Sequence, residues 1–162
     1  MVSKEKSLPY DRTLLSKALA TGNAEKFTLR DDDFFKNADI DTICQESGFK
    51  IKADEKKLIT NGGKKIIYDK LLIATGSHSW VPPVPGVNMK NVLTLRTADD
   101  HKKIKEACEN AKNIVVIGAS FIGSECAASL KMHYKDAVNI QIINGDQVPF
   151  QLPLGREIGE FY

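Results

Sequence analysis

The sequence is poor in cysteine and has no long apolar run. Its three cysteines, Cys44, Cys108 and Cys126, form no CxxC pair and no metal-ligand spacing with the three histidines. This pattern argues against a disulfide framework, a redox pair and a zinc site. No apolar run approaches the roughly 20 residues of a membrane-spanning helix. The first residues also lack the apolar core of a secretory signal, so we expect an intracellular location.

An excess of charge of one sign is also missing. The chain has 23 lysines and arginines against 21 aspartates and glutamates, a formal net charge of +2. Because this excess is small and the lysines are scattered, we expect no nucleic-acid partner. The 162 residues, 42% of them apolar, are those of an ordinary globular protein with one core or two small ones.

The most informative stretch is NIVVIGASFIGSE, at residues 113–125. The β-branched run Ile114–Ile117 is typical of a parallel strand covered by helices on both faces. Gly118 permits a tight turn after it, and Gly123 lets the next helix pack closely on the strand. The free amides at the start of that helix favour an anion. The pattern predicts a pyrophosphate-binding turn, although Ser120 replaces the middle glycine of GxGxxG.

A second strand at Val138–Ile143 would complete a βαβ unit. An NAD-binding unit usually ends this strand with an acidic residue that binds the ribose 2′-hydroxyl. Asn144 stands there instead and makes a weaker hydrogen bond than a carboxylate, while Asp146 follows in a Gly-containing turn. The next arginine that could hold a 2′-phosphate is Arg156. NAD(H) is favoured over NADP(H), but both remain open, as do loss of binding and a plain strand-turn-helix unit.

Short helices are predicted in the first part of the chain. The segment LLSKALA indicates a helix capped near Asp11 or Thr13 that ends at Gly22 and Asn23. A second helix is expected at residues 32–37, followed by a short strand.

Strand patterns follow. An antiparallel pair or triplet is expected around a turn at residues 61–63, whose sequence NGG supplies the positive φ angles of a hairpin. The run Lys70–Ala74 is typical of a buried strand, and Val92–Leu95 of a short one.

The proline-rich segment Val81–Val87 is the best domain boundary. It divides the chain into residues 1–84 and 85–162. Beyond it, Thr97 and Asp100 have the spacing of a capping box at the start of a helix.

Three motifs carry a family resemblance. PYDRTLLSK, at residues 9–17, resembles a PYxRPxLSK motif, LLIATGS at residues 71–77 resembles an ATG turn, and IVVIGASFIGSE is the third. In this order and spacing they resemble the two-dinucleotide flavoprotein reductases, and most closely the apoptosis-inducing-factor and ferredoxin-reductase branch. The segment PFQLPLGREIGEF is similar to the helix start after the second NAD strand of that family.

The resemblance implies roles for individual residues. Arg12 and Lys17 match the arginine and lysine that lie against the flavin and its phosphates, with Thr13 in place of the usual proline. Glu125 matches a glutamate near the nicotinamide. The turn that passes the FAD comprises Ala74, Thr75 and Gly76. The NAD(P)H-binding turn and strand end comprise Gly118, Ser120, Phe121, Ile122, Gly123 and Asn144.

The implied fold class is α/β, an incomplete two-dinucleotide-binding flavoprotein reductase fold. It comprises a later part of the FAD domain with an antiparallel β-hairpin (residues 1–84) and the first βαβ of a Rossmann-like NADH domain (residues 85–162). The family's own first GxGxxG unit and its later flavin-contacting and interface segments have no counterpart here. We therefore expect exposed strand edges and other protein chains as partners. FAD and NAD(H) or NADP(H) are the implied cofactors, and the resemblance makes a mitochondrial location an option.

Two main functions follow from these observations. The chain is either a fragment or subunit of an NAD(P)H-dependent FAD oxidoreductase, which passes electrons to an iron-sulfur or quinone-type acceptor, or a truncated homologue that serves as a structural or assembly subunit. A free-standing NADH-binding module without flavin is a third option.

Overall fold

The computed structural model describes residues 1–21 and 27–161, which form two compact units. The first unit contains residues Met1–Tyr10 and Thr28–His78, and the second contains Asp11–Phe27 and Ser79–Tyr162. The chain passes between the units after His78, close to the proline-rich segment. Residues 11–21 group with the second unit, whereas the sequence-based division placed them in the first domain.

The first unit is built on an antiparallel sheet. Strands β1 (Gly48–Lys52), β2 (Lys57–Thr60) and β3 (Lys65–Ile67) pair in that order, with a register shift between Gly48 and Lys50. Gly63, with φ 81°, lies in the predicted β2–β3 turn. The sequence predicts an antiparallel pair or triplet here, and the structure has the triplet.

The short helix of the first unit also matches its prediction. We label it α2 (Asp32–Asn37), and its first turn is capped by Asp31, whose carboxylate accepts a hydrogen bond from the Phe34 amide. Of the short strand expected after it, only an isolated bridge between Val2 and Ile43 is present.

Two predicted strands are absent. Residues 70–74 and 92–95 have no strand structure, and Leu72 and Ile73 are 88% and 64% exposed. A buried strand needs neighbours that pair with its amides and carbonyls and cover its side chains. Among the described residues, no strand pairs with either segment, so the apolar pattern alone does not produce a strand there.

The second unit begins with a short helix. Helix α1 spans Leu14–Lys17, and its N-cap residue Thr13 makes no capping side-chain bond. Instead, the amide and hydroxyl of Thr13 both donate to the Asp11 carboxylate and lower the pKa of that group. The predicted helix end at Gly22 and Asn23 lies outside the described residues.

The rest of the second unit is a βαβ unit with helices before and after it. Helix α3 (Ala98–Cys108) starts with the predicted capping box of Thr97 and Asp100. Strand β4 (Asn113–Ile117), helix α4 (Phe121–Tyr134), a 3₁₀ turn (Lys135–Ala137) and strand β5 (Asn139–Ile143) follow. Two short helices, α5 (Gln151–Leu154) and α6 (Arg156–Phe161), come last. Among the described residues, no helix is long and apolar enough to cross a membrane.

Strands β4 and β5 pair in parallel, and the core of the unit lies on one face of this pair. Ile114 and Ile140, which are paired partners, pack against a cluster formed by Leu19, Cys108, Cys126 and Leu130. On the other face, Val115 and Ile117 are 52% and 67% exposed. The expectation of helices on both faces is therefore wrong for the described residues, since none of their helices covers this second face.

Candidate dinucleotide-binding site

The turn between β4 and α4 is held by backbone contacts at both ends. Gly118 has φ 103°, a conformation that side-chain-bearing residues rarely adopt. Its amide donates to the Ile143 carbonyl at 2.8 Å, and the Phe150 amide donates to the Ala119 carbonyl at 2.9 Å. These bonds place the turn at the carboxyl end of both strands, where ligands bind in open α/β sheets.

Gly123 has no room for a side chain. A Cβ atom at this position would lie 2.0 Å from the Gly118 carbonyl oxygen and 3.4 Å from Cγ1 of Val116. The first turn of α4 therefore lies directly on the glycine turn. This close approach matches the sequence interpretation of Gly123.

The start of α4 can accept an anion. Ser120 is the N-cap residue, with extended backbone angles, and makes no capping side-chain hydrogen bond. The first amides of a helix have no intrahelical acceptor, and the helix dipole favours negative charge there. The side chains of Phe121 and Ile122 in the first turn are half-exposed. The Phe121 ring packs on the Phe150 ring, and the two ring centroids are 5.3 Å apart. Because α4 is 14 residues long, its aligned peptide dipoles give this end a partial positive charge.

Asn144 is tied into the turn by its side chain. Its Oδ1 accepts a hydrogen bond from the Ala119 amide at 3.3 Å, and its Nδ2 donates to the carbonyls of Asp146 and Val148, both at 3.3 Å. Both amide protons are thus used within the protein. Asn144 connects the glycine turn to the loop after β5.

A cavity of about 220 Å³ lies between that loop and the start of α4. Its lining residues are Ala119, Ser124, Ile142, Asn144, Asp146, Gln147, Val148 and Pro149. None of these described residues is a lysine or arginine, so they give the cavity wall no positive side chain.

Helix α1 packs on α4 and brings two predicted site residues together. Nζ of Lys17 lies 3.3 Å from Oε1 of Glu125, and the buried Ser16 hydroxyl donates to Oε2 of Glu125 at 2.6 Å. Lys17 also donates to the Thr13 carbonyl. The Glu125 carboxylate is therefore oriented by two residues of the first motif, which the sequence interpretation had assigned to the other domain.

The remaining predicted site residues are placed as follows. The Arg12 guanidinium donates to the Arg96 carbonyl within the second unit. Ala74, Thr75 and Gly76 are exposed in the first unit, and Gly76 has φ 66°, but the chain forms no turn at these residues, so the expected turn is absent. The structure thus brings Lys17 to Glu125, and Asn144 to the glycine turn.

His101 is a residue whose importance the sequence interpretation missed. Its side chain is 1% exposed, and its Nδ1 lies 2.8 Å from the Leu15 carbonyl, to which it must donate. Its ring meets Phe27 edge to face at 5.9 Å, and its buried Nε2 has no partner among the described residues. His101, Ile104 and Cys108 have helical spacing, and this signal could have placed the histidine on the buried face of α3.

Two of the three cysteines, Cys108 and Cys126, are buried thiols. Burial raises the pKa of the Cys108 thiol and, together with the nearby Glu125 and Cys108, raises the pKa of Cys126 to about 11. Because the thiolate is the reactive form, Cys126 should be inert near neutral pH. Among the described residues, no cluster of histidine, cysteine and acidic side chains could hold a metal ion.

We expect iodoacetamide at about pH 8 to modify the partly exposed Cys44 well before Cys108 and Cys126. Peptide mass spectrometry over a time course would measure the three rates, and the denatured chain, in which all three should react, is the control. Equal rates for Cys44 and Cys126 in the native protein would contradict the buried, protonated state of Cys126.

Comparison with protein-family models gives a match over residues 1–162 to the family described as pyridine nucleotide-disulphide oxidoreductase. Apoptosis-inducing factor 3 of Homo sapiens is 33% identical over 155 residues, which are 96% of this chain and 25% of that protein. Rhodocoxin reductase of Rhodococcus erythropolis is 29% identical over 164 residues, which cover 100% of this chain and 38% of that protein.

A solved structure shows the same fold. The ferredoxin reductase of the CYP199A2 system from Rhodopseudomonas palustris superposes with a TM-score of 0.91 at 30% identity, covering 99% of this chain and 39% of that one. The fold is thus that of part of a two-dinucleotide-binding flavoprotein reductase. The chain spans between a quarter and two-fifths of these relatives.

Proposed function

Because the chain belongs to the pyridine nucleotide-disulphide oxidoreductase family, we propose that it is part of an NAD(P)H-dependent FAD oxidoreductase. Proteins of this family use FAD and NAD(P)H. In this proposal, residues 85–162 contribute the first βαβ of the NAD(P)H-binding domain, and residues 1–84 contribute a later part of the FAD-binding domain. When bound, the nicotinamide supplies a hydride and the flavin passes its electrons on singly.

The close approach of α4 to the glycine turn is the observation that carries the proposal. With no room for a Cβ at Gly123, the α4 amides lie directly beside the turn at the carboxyl end of the sheet. The Ser120 hydroxyl, which caps no amide, adds a donor. This arrangement fits a pyrophosphate, which the amides of Phe121 and Ile122 would bind.

The residues proposed to bind the flavin cofactor come from two segments of the chain. Arg12 and Lys17 would neutralise its phosphates and lie near its ring, and the exposed residues Ala74, Thr75 and Gly76 would offer backbone amides. Glu125, held by Ser16 and Lys17, would be oriented toward the nicotinamide. The function of these residues is then to bind and orient both cofactors.

The exposed apolar surface favours a second candidate, that of a structural or assembly subunit. No described residue covers the second face of the β4–β5 pair. A groove of about 410 Å³ lies between α4 and β5, lined by Ala127, Ala128, Lys131, Asn139, Ile140 and Ile142. Apolar surface of this kind usually marks an interface.

We propose that further segments or partner chains cover these surfaces. Putidaredoxin reductase, 25% identical with a TM-score of 0.71, is known in a covalent complex with putidaredoxin. An iron-sulfur protein and a quinone are the two kinds of electron acceptor to test. An intracellular setting, mitochondrial by resemblance to apoptosis-inducing factors, belongs to the same proposal.

The decisive experiment is to purify the native protein with its co-purifying chains and record its visible spectrum before and after NADH is added. The reductase proposal expects flavin absorbance that NADH bleaches without oxygen. A colourless preparation of the whole assembly, unchanged by NADH, would overturn it. The structural alternative expects a stable larger assembly by native mass measurement, and a well-behaved monomer would contradict that alternative.

A further inference from the structure

One face of the three-stranded sheet in the first unit carries four lysines. Residues that pair across neighbouring strands lie on the same face, and residues two positions apart along a strand return to it. The pairing therefore forms one row of Lys50, Ile59 and Lys65 and a second row of Lys52, Lys57 and Ile67, all on one side of the sheet. We name these six residues the lysine face.

The lysine face is open to solvent. Lys50 and Lys65 are exposed, and Ile67 is 67% exposed. Neighbouring strands are about 4.8 Å apart, so the α-carbons of Lys50 and Lys65, on either side of β2, are about 10 Å apart. Covering these charges with an apolar surface would cost free energy. Further apolar segments of the fold would therefore cover the opposite face, whose row of Ile51, Leu58 and Ile66 is apolar.

A single carboxylate lies at the edge of this basic surface. Glu55, in the turn between β1 and β2, forms ion pairs with Lys52, at 2.6 Å, and with Lys57. Hydrogen bonds from Lys52 and Lys57 lower the pKa of Glu55 to about 2, so this carboxylate stays ionised near neutral pH. Within the described part of the chain, no ion pair neutralises Lys50 or Lys65. The lysine face therefore keeps a net positive charge beside one fixed negative charge.

We propose that the lysine face docks a partner protein with an acidic surface, whose carboxylates pair with Lys50 and Lys65. Exposed Ile67 and half-buried Ile59 supply apolar contacts between the lysines, as in interfaces with an apolar centre and a polar rim. The lysine face shares no residue with the proposed cofactor-binding site, so this inference is independent of the proposed function.

The pattern of charges favours a protein over the other anionic partners. A protein surface can place a cation opposite Glu55 and carboxylates opposite Lys50 and Lys65. An anionic membrane or a nucleic acid presents negative charge throughout and would meet Glu55 with repulsion. The lysine face also has no arginine and no aromatic ring, the side chains that most often contact bases.

The test is zero-length cross-linking of lysine amines to carboxylates in the native protein with its co-purifying chains. We expect peptide mass spectrometry to find Lys50 or Lys65 joined to an aspartate or glutamate of a different chain. These links should become fewer at about 0.5 M salt, which screens exposed charges. The variant K50E/K65E should raise the dissociation constant of the complex by about tenfold or more, because two attractions become repulsions. The neutral variant K50Q/K65Q should give a smaller increase.

The matched control is K90E/K103E, which makes the same change of charge at two exposed lysines outside the lysine face and should leave the dissociation constant unchanged. Circular dichroism would verify that all variants are folded. The proposal is overturned if no different chain is linked through Lys50 or Lys65, or if K50E/K65E binds the partner as tightly as the control. In the first case, binding of phosphatidylserine vesicles or duplex DNA that K50E/K65E loses would assign the face to a membrane or a nucleic acid instead.

Discussion

Gly123→Ala is expected to lower the free energy of unfolding by about 3 kcal/mol or more and to abolish NADH binding. The new Cβ would lie 2.0 Å from the Gly118 carbonyl oxygen, a backbone atom that cannot rotate away. Relief requires that α4 moves off the glycine turn. Such a movement breaks the packing of α4 on the strands and displaces the amides that would bind pyrophosphate.

The control for this prediction is Gly145→Ala in the loop after β5. No heavy atom outside its chain neighbours lies within 4 Å of a Cβ built there, so the same chemical change should alter stability by less than about 1 kcal/mol. Urea midpoints of the native protein and both variants would measure the difference. Equal midpoints for Gly123→Ala and the native protein would show that the helix does not lie against the turn as described.

His101→Ala is expected to lower the free energy of unfolding by about 2–4 kcal/mol. The imidazole ring, which projects from α3, is buried against the Phe27 ring, so its removal leaves a cavity. The Leu15 carbonyl would also lose the donor that connects α3 to α1. Because α1 carries Ser16 and Lys17, which orient Glu125, we also expect weaker nucleotide binding if the cofactor site is assembled as proposed.

Two further variants separate the contributions of His101. His133→Ala removes an exposed histidine whose Nδ1 lies 2.7 Å from the Ala20 carbonyl, shortly after α1. This substitution should lower the free energy of unfolding by less than about 1 kcal/mol. His101→Asn keeps a donor near the Leu15 carbonyl and should recover part of the loss. Thermal unfolding followed by circular dichroism would compare them. A His101→Ala protein as stable as His133→Ala would contradict the buried role of His101.

Much of the second unit could be predicted because its elements depend on short-range patterns. The β-branched run before Gly118 and the Thr97–Asp100 capping box both act within a few residues. The hairpin turn with Gly63 is local in the same sense. These features specify a conformation before any distant contact forms.

The wrong predictions share one physical cause. Residues 70–74 and 92–95 have strand-like sequences but find no pairing strand among the described residues, and the second face of β4–β5 finds no helix. An apolar pattern indicates which residues can be buried. Whether they are buried depends on whether another strand or helix is present to cover them. The chain covers 39% of the ferredoxin reductase structure that it matches, and we propose that the missing neighbours belong to the remainder of such a fold.

The sequence by itself determined the family, the glycine turn and the order of the βαβ unit, because each depends on residues close together in the chain. The tertiary structure alone decided that α1 packs on α4, that Ser16 and Lys17 hold Glu125, and that His101 is buried against Leu15. It also decided that the Asn144 side chain connects the glycine turn to the loop after β5. The first three arrangements join residues more than 80 positions apart, and the last depends on how a loop folds back. Spacing in the sequence can indicate that a residue such as His101 is buried, but it could not specify which distant residue it contacts.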